Sequence, residues 1–165
     1  MRHEQSGTSA APLPGAAGFR FAVIVSRFNE SVTEALRTGA QAALAEAGVA
    51  GSDVEELRVP GAFELPLAAR RAAETGRFDA VVCVGCVIRG ETPHFEYISA
   101  AVAQGIMDAA GETGVPIAFG VLTTDTQAQA EERAQPGPGN KGWEAAAAAV
   151  DMALLLRAFA ERGRP

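Results

Sequence analysis

The sequence has few cysteines, no excess of positive charge and no long apolar segment. Fourteen residues are Lys or Arg and 20 are Asp or Glu, so the formal net charge is −6 at pH 7. That balance argues against nucleic acid or an anionic membrane as the main partner, although a local basic pocket is still allowed. The apolar runs are far shorter than a membrane span, which argues against a transmembrane protein.

The two cysteines, Cys83 and Cys86, have the spacing C-x-x-C. This spacing occurs in redox pairs and in half of a zinc site, but a zinc site needs a second pair that the sequence lacks. A redox pair also follows a strand, at the start of a helix, whereas these cysteines lie inside an apolar run. We therefore expect two small buried residues that point to opposite faces of a strand.

Length and composition predict one domain. A chain of 165 residues with 48% hydrophobic residues can build a substantial core. Residues 1–18 combine polar residues with Ala, Gly and Pro, and they lack the apolar core of a signal peptide. We predict a flexible tail over residues 1–18, a domain over residues 19–162 and a cytoplasmic location.

The stretch 80–98 has the clearest pattern. Residues 80–88 form an apolar run typical of a strand buried on both faces. The polar turn 89–92 follows, and Thr92 and Pro93 predict a helix start, with Thr92 as the cap and Pro93 at the first helical position. The next apolar residues have helical spacing: Ile98, Val102 and Ile106.

The same alternation runs through the chain. Strands are predicted at 19–25, 54–59, 80–88 and 116–122, and a helix follows each of them. Two capping boxes, Ser31 with Glu34 and Thr124 with Gln127, predict helix starts, and the last helix spans 142–162. This order predicts an α/β three-layer sandwich around a mainly parallel four-stranded sheet.

Four unusual turns follow the predicted strands, at 27–29, 61–64, 89–94 and 123–125. In parallel sheets ligands bind beyond the carboxyl ends of the strands, so these turns predict a pocket. The turn 89–92 offers an arginine, a hydroxyl and backbone N–H groups at a helix start, which suits phosphate. It is not a P-loop for a nucleoside triphosphate, because Glu91 stands where the lysine is required.

Several candidate residues have two interpretations. His94 is either a proton-transfer group or an ordinary surface residue. Phe28 either stacks on a planar ligand or serves as a hydrophobic staple, and Glu64 either binds a ligand or solvates a helix start. Arg133 and Lys141 flank a Gly/Pro loop, where they are ligand contacts or plain surface charges.

Six short blocks appear together in one order: RFN at 27–29, VPGAFELP at 59–66, GCVIRGETPHFEY at 85–97, FGVLTT at 119–124, ERA at 132–134 and NKG at 140–142. Over about residues 18–162 the sequence closely resembles the lumazine synthase family, and the PGAFE and VIRGETPHFEY blocks are the most specific. The resemblance implies a flavodoxin-like sheet order of 2-1-3-4.

The resemblance also implies a reaction, a transferase step of riboflavin biosynthesis. The family condenses 5-amino-6-(D-ribitylamino)uracil with 3,4-dihydroxy-2-butanone 4-phosphate to 6,7-dimethyl-8-ribityllumazine, phosphate and water. It uses no cofactor and no metal. The Schiff base forms between the two substrates, so no protein lysine acts as nucleophile.

Matching the family's motifs gives each site residue an expected role. Phe28 resembles the aromatic residue that stacks on the pyrimidine. Ala62, Phe63 and Glu64 match the segment that contacts the ring and the ribityl chain, with Glu64 on the ribityl hydroxyls.

The third block supplies the next positions. Val87 and Ile88 match the backbone that contacts the uracil edge. Glu91 and Thr92 match the phosphate-holding helix start, and His94 matches the proton-transfer residue.

The remaining contacts come, in the family, from a neighbouring subunit. Phe119 matches a pocket wall, Arg133 the phosphate-binding arginine and Lys141 a polar ligand contact. Glu144 is an additional candidate for orienting His94.

The resemblance therefore implies a homopentamer with sites between subunits, and the N-terminal segment is expected to add an edge strand to a neighbour. Some members close twelve pentamers into an icosahedral shell, with riboflavin synthase as a possible guest. The loop 134–140 is short, as in shell formers, but its sequence AQPGPGN has two prolines and lacks their lysine. Despite these departures, the shell is favoured weakly over the pentamer.

Two other functions stay open at this point. One is a flavin- or lumazine-binding protein without catalysis, which would not need His94. The other is a structural shell protein, which would not need Thr92, His94 and Arg133 together. An electron carrier of the flavodoxin kind is disfavoured, because no Thr/Ser-rich phosphate loop follows the first strand.

Overall fold

The structure is a computed structural model, and it describes residues 11–163. Its strands and helices alternate as β1 (Phe21–Ser26), α1 (Glu30–Glu46), β2 (Val54–Val59), α2 (Leu65–Glu74), β3 (Ala80–Ile88), α3 (His94–Thr113), β4 (Ile117–Thr124), α4 (Gln127–Arg133) and α5 (Lys141–Arg162). Short 3₁₀ turns lie at Gly51–Asp53 and Ala62–Glu64. Among the helices of this part of the chain, none is both long and apolar enough to span a membrane.

The four strands form one parallel sheet in the order β2-β1-β3-β4. Helices α1 and α5 cover one face, and α2 and α3 cover the other. The predicted α/β sandwich and its strand order are confirmed. Because all strands run the same way, their carboxyl ends lie at one edge of the sheet.

Strand β3 forms the centre of the core. Its first seven residues are buried, and neighbouring side chains enter opposite faces of the sheet. Cys83 packs with the residues under α2 and α3, whereas Cys86 packs with those under α1 and α5. Both thiols are free and buried, so the expectation of two small core residues on opposite faces is confirmed.

The helix starts are the main errors of the sequence-based assignment. Helix α1 begins at Glu30 after Asn29, because the Asn29 carbonyl already accepts the N–H groups of Val32 and Thr33; Ser31 is not its cap. Helix α4 is capped by Thr126, whose hydroxyl accepts the Gln129 N–H at 3.2 Å.

The residues predicted to cap α4 and α3 make other contacts or none. The Thr124 hydroxyl, expected to cap α4, instead donates to the Thr126 carbonyl. Helix α3 starts at His94, one residue later than expected, with Pro93 as its N-cap and no capping bond from Thr92.

The segment before β1 is partly packed. Ala16 and Phe19 are buried, and the Ala16 N–H donates to the Ala47 carbonyl at 2.7 Å. Residues 11–20 contain no strand, so an added edge strand and the division of the chain at residue 18 remain predictions. Residues 1–10, most of the expected tail, lie outside the described residues.

Gly120 offers a test of how closely β4 packs. A Cβ there would lie 2.6 Å from the Cys83 carbonyl oxygen and 3.1 Å from the Ala145 Cβ. We expect Gly120→Ala to lower the free energy of unfolding by about 1–3 kcal/mol, because backbone and α5 must shift. The matched control is Gly111→Ala in α3, where a Cβ meets nothing within 4 Å and helix propensity should raise stability by about 0.5–1 kcal/mol. Urea unfolding at equal protein concentration measures both, and equal stability of the two variants would contradict the packing argument.

Candidate active site

Backbone hydrogen bonds hold the turns at the carboxyl edge in fixed positions. Beyond the end of β1, the Arg27 N–H donates to the Val59 carbonyl at 2.9 Å and the Phe28 N–H to the Pro60 carbonyl at 3.1 Å. Beyond β3, the Arg89 N–H donates to the Thr124 carbonyl at 2.8 Å. Pairing therefore continues past the strands and sets the turns against one another.

Between the turns after β1, β2 and β3 and the start of α3 lies a cavity of about 320 Å³, here called the turn pocket. Seven predicted site residues line it: Phe28, Ala62, Phe63, Val87, Ile88, Thr92 and His94. Its other lining residues are Asn29, Gly61, Cys86, Gly90, Phe95 and Ile98. The walls are mainly apolar, with a hydroxyl and an imidazole at the helix start, which suits a planar polar molecule.

The aromatic rings at the mouth of the turn pocket have free faces. Phe28 is 71% exposed and Phe63 is 60% exposed. A hydrophobic staple would be covered by its helix, so exposure favours the stacking interpretation of Phe28.

Asn29 fixes the direction of this turn, a role that the sequence alone does not predict. Its φ of 61° lies in the left-handed region, which asparagine tolerates better than most residues. Its Nδ2 donates to the Cys86 carbonyl at 2.9 Å, which ties the end of β1 to β3. An asparagine in the turn between a predicted strand and a predicted helix was the available signal.

Two predicted carboxylates lie outside the lining of the turn pocket. Glu64 accepts the Gly61 N–H through Oε2 at 2.9 Å, so it stabilises its own turn. Glu91 is exposed in the turn before α3. In the isolated chain Glu64 thus stabilises the turn before α2, while its other carboxylate oxygen, Oε1, stays open to a ligand.

Arg89 is engaged by protein groups. Its Nε donates to Asp125 Oδ1 at 2.7 Å, Nη1 pairs with Glu96, and the guanidinium lies 4.5 Å from the centre of the Phe95 ring. The hydrogen bond from Arg89 lowers the pKa of Glu96. The carboxylates of Glu96 and Asp125 repel an anion that approaches this guanidinium. The hydrogen-bond donors that remain for a phosphate in this turn are therefore the Thr92 hydroxyl and the backbone N–H groups.

The remaining predicted residues lie elsewhere, in a depression of about 430 Å³ along β4 and the start of α5 that we call the edge pocket. Phe119, Arg133, Lys141 and Glu144 line it. Lys141 Nζ lies 2.8 and 3.0 Å from the two carboxylate oxygens of Glu144. Arg133 Nη1 donates to the Gln129 carbonyl at 3.0 Å, which leaves its other donors available.

The turn pocket and the edge pocket share no lining residue. One chain therefore carries the predicted site as two separate parts. Glu144 pairs with Lys141 and lies in the edge pocket, apart from the turn pocket that His94 lines, so its expected role toward His94 has no support within one chain.

The chain matches the family model described as 6,7-dimethyl-8-ribityllumazine synthase over residues 18–157. It belongs to the 6,7-dimethyl-8-ribityllumazine synthase family. A lumazine synthase of Syntrophus aciditrophicus (strain SB) is 57% identical over 142 residues, covering 86% of this chain and 92% of that protein. A second relative, from Anaeromyxobacter dehalogenans (strain 2CP-C), is 56% identical over 143 residues, covering 87% of this chain and 88% of that protein. The resemblance predicted from the six blocks is confirmed.

For this lumazine synthase family member, the chemistry available in the two pockets is acid–base and electrostatic. Burial raises the pKa of the Cys86 thiol to about 11 and that of Cys83 to about 12, so neither thiol is a nucleophile near neutral pH. Within residues 11–163, no cluster of three or more His, Cys, Asp or Glu side chains is placed to hold a metal ion.

The reactivity of the two cysteines tests whether the turn pocket, which Cys86 lines, stays closed in the native protein. We expect neither Cys83 nor Cys86 to be alkylated by iodoacetamide in the native protein at mildly alkaline pH, because burial keeps them protonated and covered. Both should react after denaturation in urea, which serves as the control. Mass spectrometry counts the adducts, and rapid labelling of Cys86 in the native protein would contradict its burial beneath the turn pocket.

Proposed function

We propose that this protein catalyses the condensation of 5-amino-6-(D-ribitylamino)uracil with 3,4-dihydroxy-2-butanone 4-phosphate, which yields 6,7-dimethyl-8-ribityllumazine, phosphate and water in riboflavin biosynthesis. Family membership over most of the chain supports this reaction. The observation that carries it is the turn pocket, whose lining combines two exposed aromatic rings, Phe28 and Phe63, with the hydroxyl of Thr92 and the imidazole of His94.

In this proposal the turn pocket holds the pyrimidine. Phe28 stacks on the ring, and the backbone of Val87 and Ile88 contacts the uracil edge. Ala62 and Phe63 contact the ring and the ribityl chain, and their positions in the pocket lining support this role. Glu64 keeps one oxygen on Gly61 N–H and offers the other to the ribityl hydroxyls.

The reaction needs proton transfers rather than a protein nucleophile. The substrate amine adds to the substrate carbonyl, water leaves to form the Schiff base, phosphate is eliminated and the ring closes with loss of water. His94, at the first residue of α3, is exposed to the cavity and can accept and return protons at the reacting carbons. Holding both substrates together in one site supplies much of the remaining rate acceleration.

The phosphate requires positive charge and N–H donors. Glu91 and Thr92 lie in the turn that leads into α3 and offer backbone N–H groups and the Thr92 hydroxyl, and Arg133 provides a guanidinium suited to bidentate contact with phosphate oxygens. Arg133, Phe119 and Lys141 lie in the edge pocket, so we propose that a second copy brings its edge pocket to the turn pocket of the first.

Such an arrangement makes the working unit an oligomer. A homopentamer is the proposed minimum, with further assembly of twelve pentamers into an icosahedral shell and riboflavin synthase as a candidate guest. Large exposed apolar side chains support burial between copies: Leu67, Tyr97, Met107 and Phe159 are each more than half exposed. We propose that the protein acts in the cytoplasm, with small-molecule substrates and without a cofactor, metal, nucleic acid or membrane partner.

The decisive experiment mixes the pure protein with both substrates and follows lumazine absorbance and phosphate release together. A control without protein measures the uncatalysed background. Saturable product formation above that background is expected. A rate equal to the background from a folded oligomer that still binds lumazine would support the binding protein instead.

His94→Ala tests the proton-transfer role in the same assay. We expect kcat to fall by about 10²-fold or more, because a positioned acid–base group contributes at least that much. KM for either substrate should change little, since the pocket walls remain. Loss of binding and turnover together, with the oligomer intact by native mass spectrometry, would contradict the assigned role.

Arg133→Ala tests the phosphate contact. We expect KM for the phosphate substrate to rise about tenfold or more, since a charge-assisted hydrogen bond is lost. KM for the pyrimidine should stay within about twofold, which is below the effect of one hydrogen bond. Arg71→Ala is the matched control, because Arg71 is on α2, has a side chain that is 75% exposed and lines neither pocket. An equal change in both variants would overturn the assignment of Arg133.

A further inference from the structure

The loop between Arg133 and Lys141 ends at a buried asparagine. Asn140 is 1% exposed, and its side-chain amide makes four hydrogen bonds. Nδ2 donates to the Ala134 carbonyl at 2.8 Å and to the Ala35 carbonyl at 3.2 Å. Oδ1 accepts the N–H groups of Gly142 at 2.8 Å and Trp143 at 3.1 Å.

These four bonds use both hydrogens of the amide and both lone pairs of its oxygen. Ala134 directly follows Arg133, and Asn140 directly precedes Lys141. One side chain therefore joins the two ends of the loop, caps α5 and anchors all of them to α1 through Ala35.

The backbones of α1 and α5 pack closely around the Asn140 side chain. A Cβ on Gly39 of α1 would lie 2.1 Å from Asn140 Oδ1, and a Cβ on Gly142 would lie 1.9 Å from the Leu36 carbonyl oxygen. Two glycines thus let α1 and the start of α5 approach closely enough for the amide to reach both. Asn140 therefore cannot move away from its partners unless these two backbones shift.

We propose that Asn140 is a positioning residue for the edge pocket. It fixes where Arg133 and Lys141 stand relative to each other, and so it sets the affinity for the phosphate-bearing substrate. This inference rests on the proposed function, because it acts through the phosphate contact of Arg133.

Asn140→Ser separates positioning from helix capping. The serine hydroxyl can still accept the N–H groups at the start of α5, but it cannot reach both Ala134 and Ala35. We expect KM for the phosphate substrate to rise about tenfold, the effect of losing one or two hydrogen bonds. We expect KM for the pyrimidine to stay within about twofold, because no residue of this loop lines the turn pocket of its own chain and the walls that hold the pyrimidine are unchanged.

A double-mutant cycle with Arg133→Ala decides whether Asn140 acts through Arg133. We expect Asn140→Ser to add less than about twofold in the Arg133→Ala background, since the group it positions is already gone. The same tenfold effect in both backgrounds would mean a general structural role and would overturn the inference.

The outcomes distinguish this inference from the proposed function. If Arg133→Ala leaves KM for the phosphate substrate unchanged, the Arg133 assignment fails and the inference fails with it. If Arg133→Ala raises that KM and Asn140→Ser does not, only the inference fails. Native mass spectrometry and the emission of Trp143, the single tryptophan of the chain, check that each variant is assembled and folded.

A second variant covers the case in which Asn140→Ser does not assemble. Asn140→Asp has the same shape and keeps the acceptors that cap α5, but it replaces both donated hydrogen bonds with a carboxylate that faces two carbonyl oxygens. Asn140→Asp is tested in the same double-mutant cycle with Arg133→Ala. A rise in KM that is lost in the Arg133→Ala background is expected, and an equal rise in both backgrounds would overturn the inference.

Discussion

Parallel pairing of β1, β2, β3 and β4 is the constraint on which the site depends. It directs every strand end to one edge of the sheet, and backbone bonds continue past the strands through Arg27, Phe28 and Arg89. Backbone pairing therefore holds the turns to the sheet, and the side chains of Asn29 and Glu64 reinforce it. This rigidity lets a shallow cavity present aromatic, hydroxyl and imidazole groups in a fixed arrangement.

The sequence was informative where one local pattern dominates. Strands β2 and β3 were predicted with the observed bounds, because apolar runs between turn residues depend little on tertiary context. Helix starts were less predictable, since Ser31, Thr92 and Thr124 compete with neighbours as caps and the choice depends on the path of the preceding strand.

The composition of the turn pocket followed from the rule that ligands bind at strand ends, and the motif blocks supplied the individual residues. The division into two pockets did not follow from the residues alone, because it depends on β4 lying at the edge of the sheet and not between strands. Asn29 and Asn140 were missed for a related reason. Their partners, Cys86, Ala35 and Ala134, are set by the fold and carry no signal in the local sequence.

The open edges of the sheet have a consequence for how the chain recovers from unfolding. Within residues 11–163, strands β2 and β4 each pair on one side only, so unpaired backbone groups run along both edges of the sheet in this part of the chain. Exposed apolar side chains such as Phe119 and Phe159 lie on the same molecule. Refolding is therefore a competition between folding and edge-to-edge aggregation, and the yield of native protein falls as the protein concentration rises.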